Sequence, residues 1–207
     1  PSLALGAPEV TLLELTQAYG PFANGGAGVW AYGIEEIRDR AGNLLYRRRG
    51  SGPGRVVSEV HVAAMNAMLS GVITHGTGRA SKIGRPQAGK TGTSNDYNDA
   101  WFAGYTPDLA ASLCTVFDET KNHILVDVQG RHIIGGIGSA PLGRNFMQQV
   151  YRNRPASDFQ RPPGTRLVEV DPHTGTPPLA DSLLTTRPIS VVLGRGQQVN
   201  TAAEVLD

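Results

Sequence analysis

The chain has 207 residues, of which 40% are hydrophobic and 18% charged, with a formal net charge of +1. A charge so balanced gives no electrostatic footprint for nucleic acid, and this length builds one domain with a real core, or a domain plus a tail. Cys114 is the single cysteine, so no internal disulfide can form and its side chain is expected to pack as a small hydrophobe.

The first predicted element is a packing helix. Thr11-Leu-Leu-Glu14 forms a capping box, Leu12, Leu15, Tyr19 and Phe22 recur on one stripe, and Asn24-Gly25-Gly26 stops the run. Trp30 to Tyr46 reads as a β-hairpin, Ile34 and Ile37 on one arm and Leu45 and Tyr46 on the other, around Asp39-Arg-Ala-Gly-Asn43. The cluster Arg47-Arg48-Arg49 reads as a solvated strand end. A second helix is predicted from Glu59 to Thr74 with Ser58 as its cap. Val60, Ala64, Met68 and Val72 are spaced for burial, and His75-Gly76-Thr77-Gly78 ends it. Residues 87 to 118 read as successive antiparallel strands joined by Ser94 to Asn98 and by Thr106-Pro107-Asp108. Pro141 marks the start of a closing helix that runs to about Arg152, with Leu142, Phe146 and Val150 on the face turned to the sheet. Beyond it, residues 155 to 164 read as linker, Thr165 to Val170 as a strand, Asp171 to Pro178 as turn and loop, and the last twenty or so as partly disordered. The organisation expected is a structured unit over residues 1–152, followed by a linker and C-terminal extension, partly disordered, over 153–207.

The most informative stretch is Gln87-Ala-Gly-Lys90-Thr91-Gly92-Thr93-Ser94, followed closely by Asp99-Ala-Trp-Phe-Ala-Gly-Tyr-Thr-Pro-Asp108. As an extended segment it directs Lys90, Gly92 and Ser94 to one face and Thr91 and Thr93 to the other. A lysine beside a cleft favours an anionic substrate group, and Gly92 removes the side chain where a ligand must approach the backbone. Thr91 and Thr93 supply hydroxyls suited to a carboxylate. A strand edge leaves amide donors free, so a peptide can add alongside it and one amide can help hold an oxyanion. The overlapping run Gly84-Arg-Pro-Gln-Ala-Gly-Lys-Thr91 satisfies the phosphate-loop formula G-x-x-x-x-G-K-[ST] letter for letter. That loop needs a buried strand before it and a helix after it. Thr77 to Ile83 is no hydrophobic strand, Pro86 has no amide to give a phosphate, and Gly-Thr-Ser-Asn after Thr91 opposes a helix. The five histidines, at 61, 75, 123, 132 and 173, show no metal-ligand pairing, and one cysteine adds nothing to a zinc site.

Lys-Thr-Gly is one of three elements that converge in serine acyl-transfer enzymes, the others being Ser-x-x-Lys and Ser-x-Asn. Pro1 to Tyr19 with Phe22-Ala-Asn-Gly-Gly26 looks like a helix that precedes such a strand. Ala88 to Asp108 looks like the strand and its neighbour, and Gly135-Gly136 through Ser139 to Met147 like a closing helix. Together these stretches resemble the C-terminal half of the transpeptidase domain of class A (bifunctional) penicillin-binding proteins, over residues 1 to about 150. The resemblance implies an α+β fold, part of the penicillin-binding and β-lactamase-like transpeptidase architecture, with an antiparallel sheet flanked by helices. It implies that Lys90 lines the cleft as a catalytic residue and that the hydroxyls of Thr91 and Thr93 hold a substrate or penicillin carboxylate. The Thr93 amide then contributes to an oxyanion hole, and Gly92 and Ser94 complete the substrate-binding strand. Trp101 and Phe102 are expected in the core. Two departures stand out: Ala110-Ala-Ser-Leu-Cys114 lies where relatives tend to carry tryptophan and glycine, and Gly143 where the closing helix often has a large apolar residue. The glycine is expected to cost ~1 kcal/mol of helix stability.

No serine has a lysine three residues on, and no Ser-x-Asn occurs. A Lys-Thr-Gly strand without them can position an acyl group but cannot form one. The chain opens at Pro1 without initiator methionine, signal peptide or membrane span, and is expected to be cut from a domain whose missing elements lie N-terminal to it. The resemblance then implies a serine-type DD-transpeptidase as the parent, inactive in this portion alone, at the periplasmic face of the bacterial cytoplasmic membrane. Its partners are peptidoglycan stem peptides ending in D-Ala-D-Ala, β-lactams as inhibitors, the N-terminal remainder of the same protein, and a membrane reached only through a missing anchor. No metal or organic cofactor is implied. The alternative is a non-catalytic relative whose strand edge still holds peptides, acting as a binding or interaction module.

Overall fold

The computed structural model of the protein describes residues 8–50, 52–117, 123–178 and 187–199. Helix α1 (Leu12–Ala23) begins at the capping box: the Thr11 hydroxyl accepts from the Glu14 amide at 3.2 Å, and the Glu14 carboxylate accepts from the Thr11 amide at 2.8 Å. It stops at Asn24, after which Gly25 and Gly26 take positive φ of 81° and 108°. Gly26 has a second reason to lack a side chain, since a Cβ there would sit 2.2 Å from the Val57 carbonyl oxygen. Strands β1 (Glu36–Arg38) and β2 (Leu44–Arg47) form a hairpin shorter than the expected one, pairing Ile37 with Tyr46 and leaving Trp30 to Ile34 outside the first strand. The Asp39 carboxylate accepts from the amides of Ala41 and Asn43 and from the Asn43 side chain, which fixes the turn. The arginine cluster lies at its end, Arg47 bridging Glu36 at 2.8 Å and Arg48 lying 4.3 Å over the Tyr32 ring.

Helix α2 (Glu59–Thr74) has the predicted bounds and cap, the Ser58 hydroxyl accepting from the His61 amide. Its inward face differs from the predicted one. Val62, Ala63, Asn66, Leu69 and Ile73 are buried, while Val60 is exposed and Met68 is 55% exposed. The predicted stripe does not include Asn66. Asn66 is instead buried because it is paired: it accepts from the Tyr105 hydroxyl at 2.7 Å and donates to the Phe22 carbonyl at 3.0 Å. A 3-10 turn at Arg79–Ser81 follows.

Strands β3 (Ala88–Thr93), β4 (Ala100–Thr106) and β5 (Leu109–Thr115) form one antiparallel sheet in the order β3-β4-β5. The predicted strand pattern to residue 118 ends at Thr115, and residue 118 lies outside the described residues. Ala88 pairs with Tyr105 and Gly92 with Trp101, so these residues share one sheet face. There Leu69, Ala88 and Tyr105 form a cluster with Tyr19, Phe22 and Ala110. On the opposite face Phe102 packs with Ile73, Ala140 and Leu113. Phe102 is fully buried and Trp101 half-buried.

Helix α3 (Ser139–Val150) closes the Phe102 face through Ala140, Gly143 and Met147, followed by Tyr151, whereas Leu142 and Phe146 are 51% and 48% exposed. This corrects the predicted Leu142–Phe146–Val150 face. The bulk comes from the sheet: a Cβ on Gly143 would lie 2.6 Å from the Phe102 ring, and one on Gly104 2.5 Å from it. Gly143 is therefore the residue that admits Phe102 beneath the helix, rather than a gap in it. Beyond α3, strand β6 (Arg166–Val170) agrees with the predicted strand, and it pairs antiparallel with a strand that periodicity did not reveal, β7 (Ile189–Leu193). Residues 189–193, counted in the sequence with the partly disordered end, thus form a strand in contact with α2.

Candidate functional site

The start of β3 is anchored by Gln87, a buried side chain that donates to the Ser81 carbonyl at 3.1 Å and accepts from the Ile83 amide at 3.3 Å. Ala88 and Gly89 are buried, and the strand then emerges at Lys90. It stays extended through Thr93, so no helix begins at Thr91 and the phosphate-loop geometry is absent from this strand. Among the described residues β3 has a strand partner only on its β4 side. The pairs continue in register to Ser94, whose amide donates to the Asp99 carbonyl at 3.0 Å. Alternation from that bond turns the backbone of Lys90 and Gly92 toward β4 and the amides and carbonyls of Thr91 and Thr93 toward the open edge. The Lys90 ammonium donates to the Thr91 carbonyl at 2.7 Å along that edge.

Side chains follow the predicted alternation. Gly92 lies opposite Trp101, and a Cβ there would be 3.2 Å from the Trp101 Cβ. On the other face, the Thr91 hydroxyl is 2.6 Å from the Thr77 hydroxyl, and the Thr93 hydroxyl accepts from the Gly135 amide at 3.2 Å. Ser94 is engaged in the turn, its hydroxyl accepting from the Asp99 amide at 2.7 Å. The strand thus gathers Lys90, Thr91, Gly92 and Thr93 at one edge, with Ser94 closing the loop beside them.

Two neighbours support this edge. The Gly135-Gly136 pair crosses close over the sheet: a Cβ on Gly135 would be 2.2 Å from the Trp101 carbonyl oxygen, and one on Gly136 2.6 Å from the Thr77 carbonyl oxygen. The β3–β4 loop holds Asp96 and Tyr97 at positive φ of 62° and 56°, a conformation that costs a non-glycine residue energy. It is held by the Tyr97 carbonyl accepting from the Leu125 amide at 2.8 Å and by Tyr97 stacking on His132 with ring centroids 4.1 Å apart. Thr77, Gly135, Tyr97 and His132 were not singled out as site residues by sequence. Gly135 was visible within the resembling closing segment, but Thr77 read only as part of a helix stop, and no local signal foretells its return to a strand 14 residues on.

Chemically, the edge offers one ammonium, hydroxyl donors and outward amides, which suits an anionic peptide terminus and a developing oxyanion. Cys114, half-buried on β5 opposite Trp101, is little ionised at neutral pH: burial, with Asp99 nearby, pushes its thiol up to about 11. Among the described residues no three His, Cys, Asp or Glu side chains gather as metal ligands, and no helix is long and apolar enough to cross a membrane. A groove of about 670 Å³ lies elsewhere, between α2 and the β6–β7 hairpin, lined mainly by apolar groups such as Met68, Phe159 and Leu167. It contains none of the strand-edge residues, so its size says nothing about their chemistry.

Residues 2–123 match the family described as the penicillin binding protein transpeptidase domain. Curated relatives include penicillin-binding protein 1A of Rickettsia typhi, 34% identical over 197 residues covering 84% of this chain, and that of Aquifex aeolicus, 36% identical over 172 residues covering 83%. These alignments take in 24% and 23% of the two relatives, so the chain spans about a quarter of their length. Among solved structures, penicillin-binding protein 1A from Haemophilus influenzae aligns with a TM-score of 0.71 at 24% identity, over 96% of this chain and 34% of that one. The penicillin-binding protein PonA1 from Mycobacterium tuberculosis aligns with a TM-score of 0.70 at 21% identity, over 78% of this chain and 44% of that one. At these identities the two structures share the fold, helices packed on an antiparallel sheet.

Proposed function

Because the chain belongs to the penicillin-binding protein transpeptidase domain family, we propose that it is the substrate-binding part of a peptidoglycan DD-transpeptidase whose serine nucleophile lies outside these 207 residues. The observation that carries this reading is the open β3 edge bearing Lys90, Thr91 and Thr93 in a sequence that contains no Ser-x-x-Lys.

In this reading the outside serine attacks the carbonyl between the two D-Ala residues of a stem peptide. Its Oγ–C bond forms, the D-Ala–D-Ala C–N bond breaks, and the terminal D-Ala leaves with a proton. An amine of a neighbouring stem then attacks the ester, forming the cross-link and returning the proton to the serine. Lys90 supplies positive potential and organises protons at the reacting centre. Thr91 and Thr93 grip the terminal carboxylate, Gly92 lets the peptide backbone lie close, and Ser94 holds the strand end in place. The outward Thr93 amide stabilises the tetrahedral oxyanion. β-Lactams inhibit by presenting a strained amide and a carboxylate to the same edge. The chemistry is acyl transfer without electron exchange and needs no metal or organic cofactor. The site belongs on the periplasmic face of the cytoplasmic membrane, held there by an anchor outside this chain. Residues 1–152 form part of the transpeptidase domain and 153–207 its C-terminal extension.

Lys90→Ala in the complete protein tests the reading. Acylation by benzylpenicillin is expected to fall at least 100-fold, the scale of losing one oriented charge at a reacting centre, while far-UV circular dichroism stays unchanged. Wild-type acylation in that variant removes Lys90 from the mechanism and favours a peptide-binding module.

A further inference from the structure

Thr77 sits in the helix-ending tetrapeptide His75-Gly76-Thr77-Gly78, where a local reading assigns it nothing beyond stopping α2. The fold brings its hydroxyl 2.6 Å from that of Thr91, and it remains exposed beside the strand edge. Two hydroxyls at that distance share one hydrogen, and the donor's partner keeps its own proton for a third group. Thr93 shows the same logic from the other side: its oxygen accepts from the Gly135 amide, so its proton is free to be donated. A hydroxyl that already accepts a hydrogen bond is also a stronger donor.

We propose that Thr77 is a positioning residue for the carboxylate site, donating to Thr91 so that the Thr91 proton points outward alongside that of Thr93. With Gly135 acting on Thr93, the edge presents two aligned hydroxyl protons with their oxygens already engaged, a pair matched to the two oxygens of a carboxylate. The backbone around Thr77 is fixed for this task. Gly78 donates to the Val72 carbonyl at 2.9 Å, and the Gly136 backbone crosses against the Thr77 carbonyl so closely that a Cβ there would be 2.6 Å from it. Thr77 touches no reacting atom in this assignment and acts through Thr91. The inference rests on the carboxylate-binding reading of Thr91 and Thr93 given above.

The experiment compares acylation of the complete protein by benzylpenicillin, which carries the carboxylate, and by its methyl ester, which lacks the charge. Thr77→Val keeps the shape without the hydroxyl, and Thr77→Ser restores it. The Val variant is expected to lose about tenfold in acylation by the acid, the worth of one charge-directed hydrogen bond, with little change toward the ester. The Ser variant is expected to recover most of the loss. An unchanged acid-to-ester ratio in Thr77→Val overturns the assignment, as does an equal loss toward both compounds that Ser does not rescue, which marks a packing role. If the unsubstituted protein itself does not prefer the acid, the carboxylate role of Thr91 and Thr93 falls and this assignment falls with it.

Discussion

Gly135 is pressed onto the sheet so tightly that even a methyl group has no place: its Cβ would lie 2.2 Å from one backbone oxygen, that of Trp101, and 2.5 Å from another, that of Gly92. Neither atom is the free end of a side chain, so Gly135→Ala must push the backbone aside, at a cost of roughly 2 kcal/mol. Urea denaturation of the chain checks this, and a change below about 0.5 kcal/mol means that the crossing is loose. The same shift would pull the Gly135 amide from Thr93. At Cys114 the expectation is chemical. With its thiol pushed up to about 11, only about one in a thousand is ionised at pH 8. Alkylation by iodoacetamide should therefore be slow and still rising above about pH 10. A plateau near about pH 8.5, the ordinary thiol value, would contradict the burial. The placing of Lys90, Thr91 and Gly92 along one extended strand was legible because they form a contiguous run. The contact of Thr77 with Thr91 was not, because it is reached only through the fold.

At the scale of elements, the sequence placed the ends of α1 and α2 well, because caps are local: a threonine with a glutamate three residues on, or a serine before an apolar run, acts on its own turn. The face of a helix is decided by what it meets. Asn66, outside the predicted stripe, is a buried hydrogen-bond hub, and the inward face of α2 falls on Val62, Leu69 and Ile73. Leu69→Ala should accordingly cost about 3 kcal/mol by cavity formation, and Met68→Ala, one residue earlier, less than about 0.5 kcal/mol. Equal effects in denaturant melts would restore the predicted face. Helix α3 teaches the same lesson through glycine: the space a large residue would fill at position 143 is already occupied by Phe102 from the sheet. Strand β7 escaped notice because its pairing with β6 bridges a long connection, and such pairing leaves no short-range signature.

Over the whole molecule, apolar side chains on α1 and α3 stay in solvent. Leu13 is 60% exposed, and Leu142 and Phe146 stand out from α3. The chain spans about a quarter of the length of its curated relatives. Individual helices and strands were legible from spacing and alternation, whereas the α+β fold class and the family were legible through the resemblance carried by the Lys-Thr-Gly run and its flanking segments. The proposed division of chemistry rests on a motif, Ser-x-x-Lys, that these 207 residues do not contain. The central claim is that these residues bind and orient an acyl group which another segment must accept. Intact-mass analysis after incubation with benzylpenicillin tests it most directly, on the 207-residue chain and on the complete protein side by side. The account predicts no adduct on the chain alone and one equivalent on the complete protein, mapping to a serine outside these residues. A stoichiometric adduct on any serine of the chain by itself would contradict it.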